Sequence, residues 1–205
     1  MTLLEPVTLA GEVVTLEPLG PQHVGALAEA VADGRLWELW FTSVPTPEGM
    51  AADVAAKLAQ RDAGTMLPFA VRRTDTGAAV GVTTYCNIEA EIPRLEIGHT
   101  WTAASAQRTG VNTESKLLLL THAFEVLGCL AVEFRTHWHN TRSRTAIAAL
   151  GAKQDGVLRN HRRHPDGSLR DTVVFSITDA EWPAVRTGLR HRLARHAAGA
   201  PPLPA

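Results

Sequence analysis

The stretch Gln107-Arg108-Thr109-Gly110-Val111-Asn112 lies between a strand-like segment, residues 95–102, and a long helical segment with an apolar stripe, residues 113–127. A helix N-terminus carries unpaired backbone N–H groups and about half a positive charge, so such a loop suits a phosphate or a pyrophosphate. Gly110 allows a close approach of the backbone, and Asn112 can cap the helix. The stretch has neither the Gly-Lys-Ser/Thr sequence of a P-loop nor the three-glycine pattern of a dinucleotide-binding loop. By itself, however, it is more typical of an ordinary turn before a helix.

The composition is that of a globular protein. The 205 residues are 45% hydrophobic with a formal net charge of −1, which predicts one substantial core and one domain. Polyanion binders usually carry a strongly basic face, so we expect no nucleic-acid partner. Cys86 and Cys129 have neither metal-site spacing nor the density of a disulfide scaffold, and we expect no metal. The start lacks a basic leader and no apolar run approaches about 18 residues, so we expect a cytoplasmic protein without membrane contact.

Hydrophobic periodicity predicts alternating strands and amphipathic helices. The predicted strands cover residues 13–18, 67–73, 79–88, 95–102, 130–138, 153–163 and 169–177. The predicted helical segments cover residues 21–33, 35–41, 50–58, 113–127, 142–150 and 179–195. The strands between residues 67 and 102 predict an antiparallel meander, whereas the strand–helix–strand passage that follows predicts one parallel pair with a crossover. Ligands often bind at the point of a sheet where the arrangement of the strands changes in this way. The tail, residues 197–205, is rich in Ala, Gly and Pro, and we expect it to be disordered.

Three pieces of the chain together carry a resemblance to a known family: Glu96-Ile97-Gly98-His99-Thr100-Trp101, the loop 107–112 continuing into Thr113-Glu114-Ser115-Lys116, and Asn140-Thr141-Arg142-Ser143. They resemble the GNAT (Gcn5-related N-acetyltransferase) superfamily, in particular its branch similar to the RimJ and RimL ribosomal-protein N-terminal acetyltransferases. The resemblance implies an α+β fold with one domain, residues 1–196. Its mixed, mostly antiparallel central sheet would have about seven strands, a splayed parallel pair and flanking helices.

The resemblance implies acetyl-CoA as cosubstrate. The family's pyrophosphate loop reads Gln/Arg-x-x-Gly-x-Gly/Ala; Gln107 and Gly110 match it, while Asn112 stands in place of the last small residue. In the family the pantetheine arm lies between two separated parallel strands and bonds to the backbone of the middle one, which by position falls at Trp101 and Thr102. The implied cofactor-binding residues are Trp101, Thr102, Gln107, Arg108, Thr109, Gly110, Val111, Asn112, Asn140 and Ser143.

Direct acetyl transfer needs a neutral amine, a polarised thioester carbonyl and a proton for the departing thiolate. The resemblance makes Glu96 the candidate base, and strand alternation places its side chain opposite Leu95 and Ile97. The resemblance also makes Ser143 the candidate acid towards the CoA sulfur. An ordinary solvent-facing carboxylate is the alternative for Glu96, and a helix-capping role is the alternative for Asn140 and Ser143.

Four side chains are candidates for contact with the acceptor amine: Trp37, Trp40, Tyr85 and His99. The aromatic members are equally typical of a core, and His99 or His137 is an alternative base. The segments around residues 35–41 and 50–58 are candidates for a flap over a cleft. The basic run His161-Arg162-Arg163-His164 is typical of a solvated hairpin arm, with guidance of an acidic acceptor as the alternative.

We expect the acceptor to be the N-terminal α-amine of a protein or a peptide. An α-amine has a pKa of about 7.7–8.0 and needs only a weak base, whereas a lysine amine with a pKa of about 10.4 is almost fully protonated near neutral pH. The alternatives are a small-molecule amine, such as an antibiotic or a polyamine, and a CoA-binding module without catalysis. The sequence also leaves a homodimer open.

Overall fold

The computed structural model describes residues 5–164 and 166–199. Within these residues the chain forms eight strands: β1 (Leu9–Ala10), β2 (Val14–Pro18), β3 (Met66–Arg73), β4 (Ala79–Glu89), β5 (Arg94–Thr102), β6 (Ala131–His137), β7 (Lys153–Arg163) and β8 (Leu169–Thr178). It also forms five α-helices: α1 (Val24–Ala32), α2 (Met50–Asp62), α3 (Gly110–Thr121), α4 (Thr141–Ala149) and α5 (Trp182–Ala197).

All described strands form one open sheet in the order β1-β2-β3-β4-β5-β6-β8-β7. The pairing of β5 with β6 is parallel, and every other described pair is antiparallel. The predicted α+β class, the meander and the one parallel pair are therefore confirmed. The sheet has one strand more than predicted, because β1 has only two residues and cannot show an alternating pattern.

Two hydrophobic clusters cover the two faces of the sheet. On β3, Phe69 belongs to the cluster that contains Leu120 of α3 and Leu189 of α5, whereas Ala70 belongs to the cluster that contains Leu27 of α1. This separation follows from the two-residue period of a strand. The helices α1 and α2 therefore lie on one face and α3 and α5 on the other, and the parallel pair lies between the two layers.

Some predicted boundaries are wrong. Residues 35–41 form only a short 3-10 turn, Leu36–Glu38, because Arg35 adopts the left-handed conformation before the turn and Leu39 is extended after it. The third helix begins at Gly110 instead of residue 113, and a π-helical turn, His122–Val126, continues it. Residues 200–205 of the predicted disordered tail lie outside the described residues.

Candidate active site

The parallel pair separates soon after it forms. Hydrogen-bonded pairing joins 94–96 of β5 to 131–133 of β6, yet β5 continues to Thr102 and β6 to His137. A cavity of about 830 Å³ opens at this separation, and residues 96–102 line it together with Phe134 and Thr136 of β6. Because the strand edges face each other there without pairing, the gap can accept an extended ligand.

The loop 107–112 lies at one end of this cavity. Gln107, Arg108, Thr109 and Asn112 line the cavity, whereas Gly110 and Val111 are buried behind them. Thr109 caps α3, since its Oγ1 accepts the Val111 N–H at 3.3 Å and donates to the Ala106 carbonyl at 2.6 Å. The helix N-terminus therefore begins at the cavity, where its unpaired N–H groups can hold a phosphate.

Arg142 connects this loop to α4 and was missed in the sequence. Its guanidinium donates to Gln107 Oε1, while Gln107 Nε2 donates to the Thr102 carbonyl at 2.8 Å. Asn140 caps α4 by accepting the Ser143 N–H at 3.0 Å, and all of these residues line the cavity. The capping role of Asn140 is thus present, and Arg142 adds a positive charge beside the helix N-terminus.

Glu96 lies where the two strands separate. Its side chain is buried, Asn87 Nδ2 donates to its Oε2 at 2.7 Å, and Arg135 Nε lies 3.5 Å from the same oxygen. Burial raises the pKa of Glu96, and the Asn87 hydrogen bond and the Arg135 charge offset part of that increase. Gly98 leaves room for this carboxylate, because a Cβ there would lie 2.8 Å from Glu96 Oε1. The cavity thus holds a carboxylate that is more basic than an exposed one.

Lys116 is a second buried titratable group on the cavity wall, and no separate role was predicted for it from the sequence. Its Nζ donates to Thr83 Oγ1 at 3.2 Å and to Thr100 Oγ1 at 3.0 Å. Desolvation lowers its pKa to about 7, since no carboxylate compensates the buried charge among its described contacts. The signal in the sequence was a lysine directly before a run of four leucines, residues 117–120.

Glu114 does not oppose phosphate binding in the loop. Its carboxylate is buried and accepts the N–H groups of Glu12, Val13 and Val14 at 3.0, 2.6 and 2.7 Å. Gly11 is needed at this contact, because a Cβ there would collide with the carboxylate. Glu114 therefore fixes α3 to the start of β2 and points away from the cavity.

The predicted acceptor-contacting residues are not brought together. His99 lines the cavity in the left-handed conformation, φ 47°, and desolvation together with the Lys57 charge lowers its pKa. Tyr85 is fully buried in the core and donates to the Leu119 carbonyl at 2.6 Å, so it cannot reach an acceptor in the cavity. The alternating pattern of the strand could not show that Tyr85 belongs to the core, because a core tyrosine and a pocket tyrosine can occupy the same strand positions.

The two tryptophans also lie off the cavity wall. Trp37 packs against the α1–α2 cluster, and Trp40 is 58% exposed with its ring edge on His137, at a centroid distance of 5.1 Å. Their neighbours Leu36 and Phe41 line the cavity instead. Residues of this segment therefore line the cavity through side chains other than the predicted ones, and a flap formed by residues 35–41 and 50–58 stays a prediction.

The open mixed sheet, with its splayed parallel pair next to a helix N-terminus and a buried carboxylate, forms a cavity that can hold an extended phosphate-bearing ligand beside a base. A model of the acetyltransferase (GNAT) domain matches residues 14–153. The chain therefore belongs to the GNAT acetyltransferase family. This family uses acetyl-CoA as the acetyl donor.

Solved structures share this fold. A GCN5-related N-acetyltransferase from Brucella melitensis is 29% identical, with 92% of this chain and 86% of that chain covered and a TM-score of 0.82. RimJ from Mycobacterium smegmatis, solved in complex with CoA-disulfide, is 25% identical, with 95% and 92% covered and a TM-score of 0.73. A comparison with curated proteins found no match.

Across residues 5–164 and 166–199, no group of three or more His, Cys, Asp or Glu side chains is arranged to hold a metal ion. No helix in the same part of the chain is long and apolar enough to cross a bilayer. Cys86 and Cys129 are both buried free thiols.

Proposed function

We propose that the protein is an acetyl-CoA-dependent N-acetyltransferase whose acceptor is the N-terminal α-amine of a protein or a peptide. The observation that carries the proposal is the position of Glu96. This buried carboxylate lies where β5 and β6 separate, in the same cavity whose other end is the N-terminus of α3. A donor extended along the gap would therefore present its reactive end to an amine beside Glu96.

The donor end of the cavity has the chemistry that a pyrophosphate requires. The unpaired N–H groups at the start of α3 lie next to the Arg108 and Arg142 side chains, and both arginines line the cavity. Arg108 holds the left-handed conformation, φ 61°, directly before the capping residue Thr109. Acetyl-CoA, when bound, supplies the acetyl thioester. In our proposal Trp101 and Thr102 offer backbone groups to its pantetheine arm.

Glu96 is the proposed base. Burial raises the pKa of its carboxyl group, so the carboxylate accepts a proton from an ammonium group, directly or through a water, more readily than an exposed glutamate would. The positive side chain of Arg135, 3.5 Å away, also disfavours the ammonium form of a nearby amine. Both effects increase the fraction of acceptor that is neutral.

Ser143 is the proposed acid. It lines the cavity at the start of α4, and its backbone N–H is held by the Asn140 side chain at 3.0 Å. This cap fixes the position of the serine, so that Ser143 Oγ can donate a proton to the departing sulfur. Capping and catalysis are compatible in this arrangement, because the cap uses the backbone N–H and leaves the hydroxyl for the thiolate.

The proposal is tested by incubating the pure chain with acetyl-CoA and a panel of peptides and small amines while the free thiol of CoA is measured. We expect transfer to peptide α-amines, and we expect Glu96→Gln to lower kcat by about 10²- to 10⁴-fold. Glu91→Gln is the control, because Glu91 is an exposed carboxylate near the same strand. If small amines are acetylated and no peptide is, the proposed peptide acceptor is wrong. If CoA binds but no acceptor is acetylated, a non-catalytic CoA-binding module is favoured.

A further inference from the structure

The charge lining the cavity is unbalanced. The chain has a formal net charge of −1, yet Glu96 is the one Asp or Glu among the described lining residues. The lining Lys and Arg side chains are Lys57, Arg108, Lys116, Arg135, Arg142, Arg162 and Arg170. Arg108 and Arg142 lie at the phosphate end, so their charge has a ligand in the proposed function. Of the other lining cations, Lys57 pairs with Asp53 and Arg135 pairs with Glu133, whereas Arg162 and Arg170 have no carboxylate partner among the described residues.

Arg162 and Arg170 are the unusual members of this set. They lie directly opposite each other on the antiparallel strands β7 and β8. Like charges in such a pair destabilise a sheet. Other arginines nearby have carboxylate partners: Arg159 of the same hairpin pairs with Asp171 at 2.6 Å, and Arg135 pairs with Glu133 at 2.8 Å. In the described part of the chain, Arg162 and Arg170 form no salt bridge of this kind.

The Arg170 side chain is oriented but incompletely satisfied. Its Nε donates to Thr172 Oγ1 at 3.1 Å, and Thr172 is almost fully buried and also contacts His161 Nδ1 at 3.1 Å. The two terminal guanidinium nitrogens donate no hydrogen bond to a described residue. Desolvation and the Arg162 charge lower the pKa of Arg170, which means that the surroundings disfavour its positive charge. An anion would remove this cost and fit the planar fork.

The two arginines lie at the acceptor end of the cavity. Their charges act on the Glu96 carboxylate and lower its pKa, in opposition to the effect of burial. His137, on the same part of the wall, accepts the His139 N–H through Nδ1 at 3.0 Å, which places the proton of the neutral ring on Nε2. That Nε2 is buried without a hydrogen-bond partner among the described residues, and the Arg170 charge acts on the ring.

We propose that Arg162 and Arg170 form a subsite for a carboxylate of the acceptor, so that the preferred substrate is an amine that also carries a carboxylate. This inference rests on the proposed function and specifies its substrate class. Two sources supply the same chemistry: an acidic side chain at the second position of a peptide, which fits the proposed acceptor, and the α-carboxylate of a free amino acid, which would replace the peptide as the acceptor of the same acetyl transfer. In either case the two arginines hold the anion while the amine lies at Glu96.

The experiment compares matched acceptors on the whole chain. Peptides beginning Ser-Asp and Ser-Asn differ in one charge, and alanine and alaninamide form the second pair. The kcat/KM of each acceptor is measured for wild type, Arg162→Gln/Arg170→Gln and the control Arg163→Gln. Arg163 lies next to Arg162 on β7, and its substitution removes one positive charge from the hairpin; its guanidinium donates to the Gly167 carbonyl and does not line the cavity.

We expect wild type and the control to prefer the carboxylate member of one pair by about tenfold or more, mainly through KM, and the double variant to lose that preference. The pair that shows the preference identifies the source. Calorimetric titration of the same four acceptors measures binding without turnover. Equal kcat/KM and equal Kd within both pairs would overturn the subsite. If no acceptor causes release of the CoA thiol, the proposed function is contradicted, and the comparison of Kd values then decides whether the subsite exists.

Discussion

Asn87 Nδ2 donates a 2.7 Å hydrogen bond to Glu96 Oε2 across the β4–β5 hairpin, and this contact opposes the effect of burial on the carboxylate. Asn87 is in the left-handed region, φ 47°, which asparagine tolerates better than most residues do. The basicity of Glu96 thus depends on a neighbour that lies nine positions away in the sequence. Removing this neighbour changes the pKa of the proposed base in a known direction.

Replacing Asn87 by glycine should move the acid limb of the kcat/KM profile to higher pH. The hydrogen bond lowers the pKa of Glu96, so its loss raises that pKa and a higher pH is needed to ionise the base. Glycine retains the left-handed backbone. The control is Asn160→Gly, since Asn160 is also left-handed, φ 48°, and lies off the cavity wall. An acid limb that stays in place or moves to lower pH would contradict the role of Glu96.

Arg142→Gln should weaken CoA binding by about tenfold and reduce its dependence on salt, because a charge-assisted contact to phosphate is lost. Calorimetric titration with CoA at two salt concentrations measures both effects. Arg144→Gln is the matched control on α4, since Arg144 lies over the Trp138 ring at 4.2 Å and not on the cavity wall. Equal weakening in the two variants would contradict a phosphate contact specific to Arg142.

Lys116→Met should remove a pH dependence of stability. The folded-state pKa of Lys116 is about 7 against an ordinary value of 10.5, so the unfolded chain holds more protons between these values. Stability of the wild type relative to the variant should therefore rise with pH, by up to about 1.4 kcal/mol per unit, between about pH 7 and pH 9. Urea denaturation across this range measures the difference in unfolding free energy.

Lys153→Met is the control for that measurement. Lys153 is exposed, and its ion pair with Glu181 raises its pKa, so it is charged in both states throughout the range. A constant difference between wild type and Lys116→Met over the same range would show that the Lys116 amine is not desolvated in the folded protein.

Glu114→Ala should lower the free energy of unfolding by about 3 kcal/mol, because it leaves the backbone N–H groups of residues 12–14 without their acceptor. Urea or thermal denaturation monitored by circular dichroism measures the loss. Glu12→Ala removes an exposed carboxylate from the same segment and should change stability by less than about 0.5 kcal/mol. Similar losses in the two variants would contradict the anchoring role of Glu114.

Local sequence patterns were sufficient to predict the main strands of the sheet and some of the residues that line the cavity. Alternation along β5 separates the core residues Leu95 and Ile97 from Glu96. The capping preference of asparagine locates the start of α4 at Asn140. These features depend on residues that are neighbours in the sequence, so a single sequence contains the information.

Contacts between residues that lie far apart in the chain could not be predicted from the sequence. Glu114 binds backbone groups about a hundred positions away, and Lys116 reaches hydroxyl groups on β4 and β5. The cross-strand pair Arg162 and Arg170 depends on register shifts within the β7–β8 hairpin. Tyr85 illustrates the same limit, because periodicity gives the face of a strand and not the layer that covers it.

A crystal structure of the chain with CoA would show whether the gap between β5 and β6 is the donor site. We expect the pyrophosphate within hydrogen-bond distance of the backbone N–H groups at the start of α3, with Arg142 beside it. We also expect the pantetheine arm between β5 and β6, with its sulfur pointing to the Glu96 end of the gap. CoA bound at another surface, or a saturating soak that leaves the gap empty, would contradict this expectation.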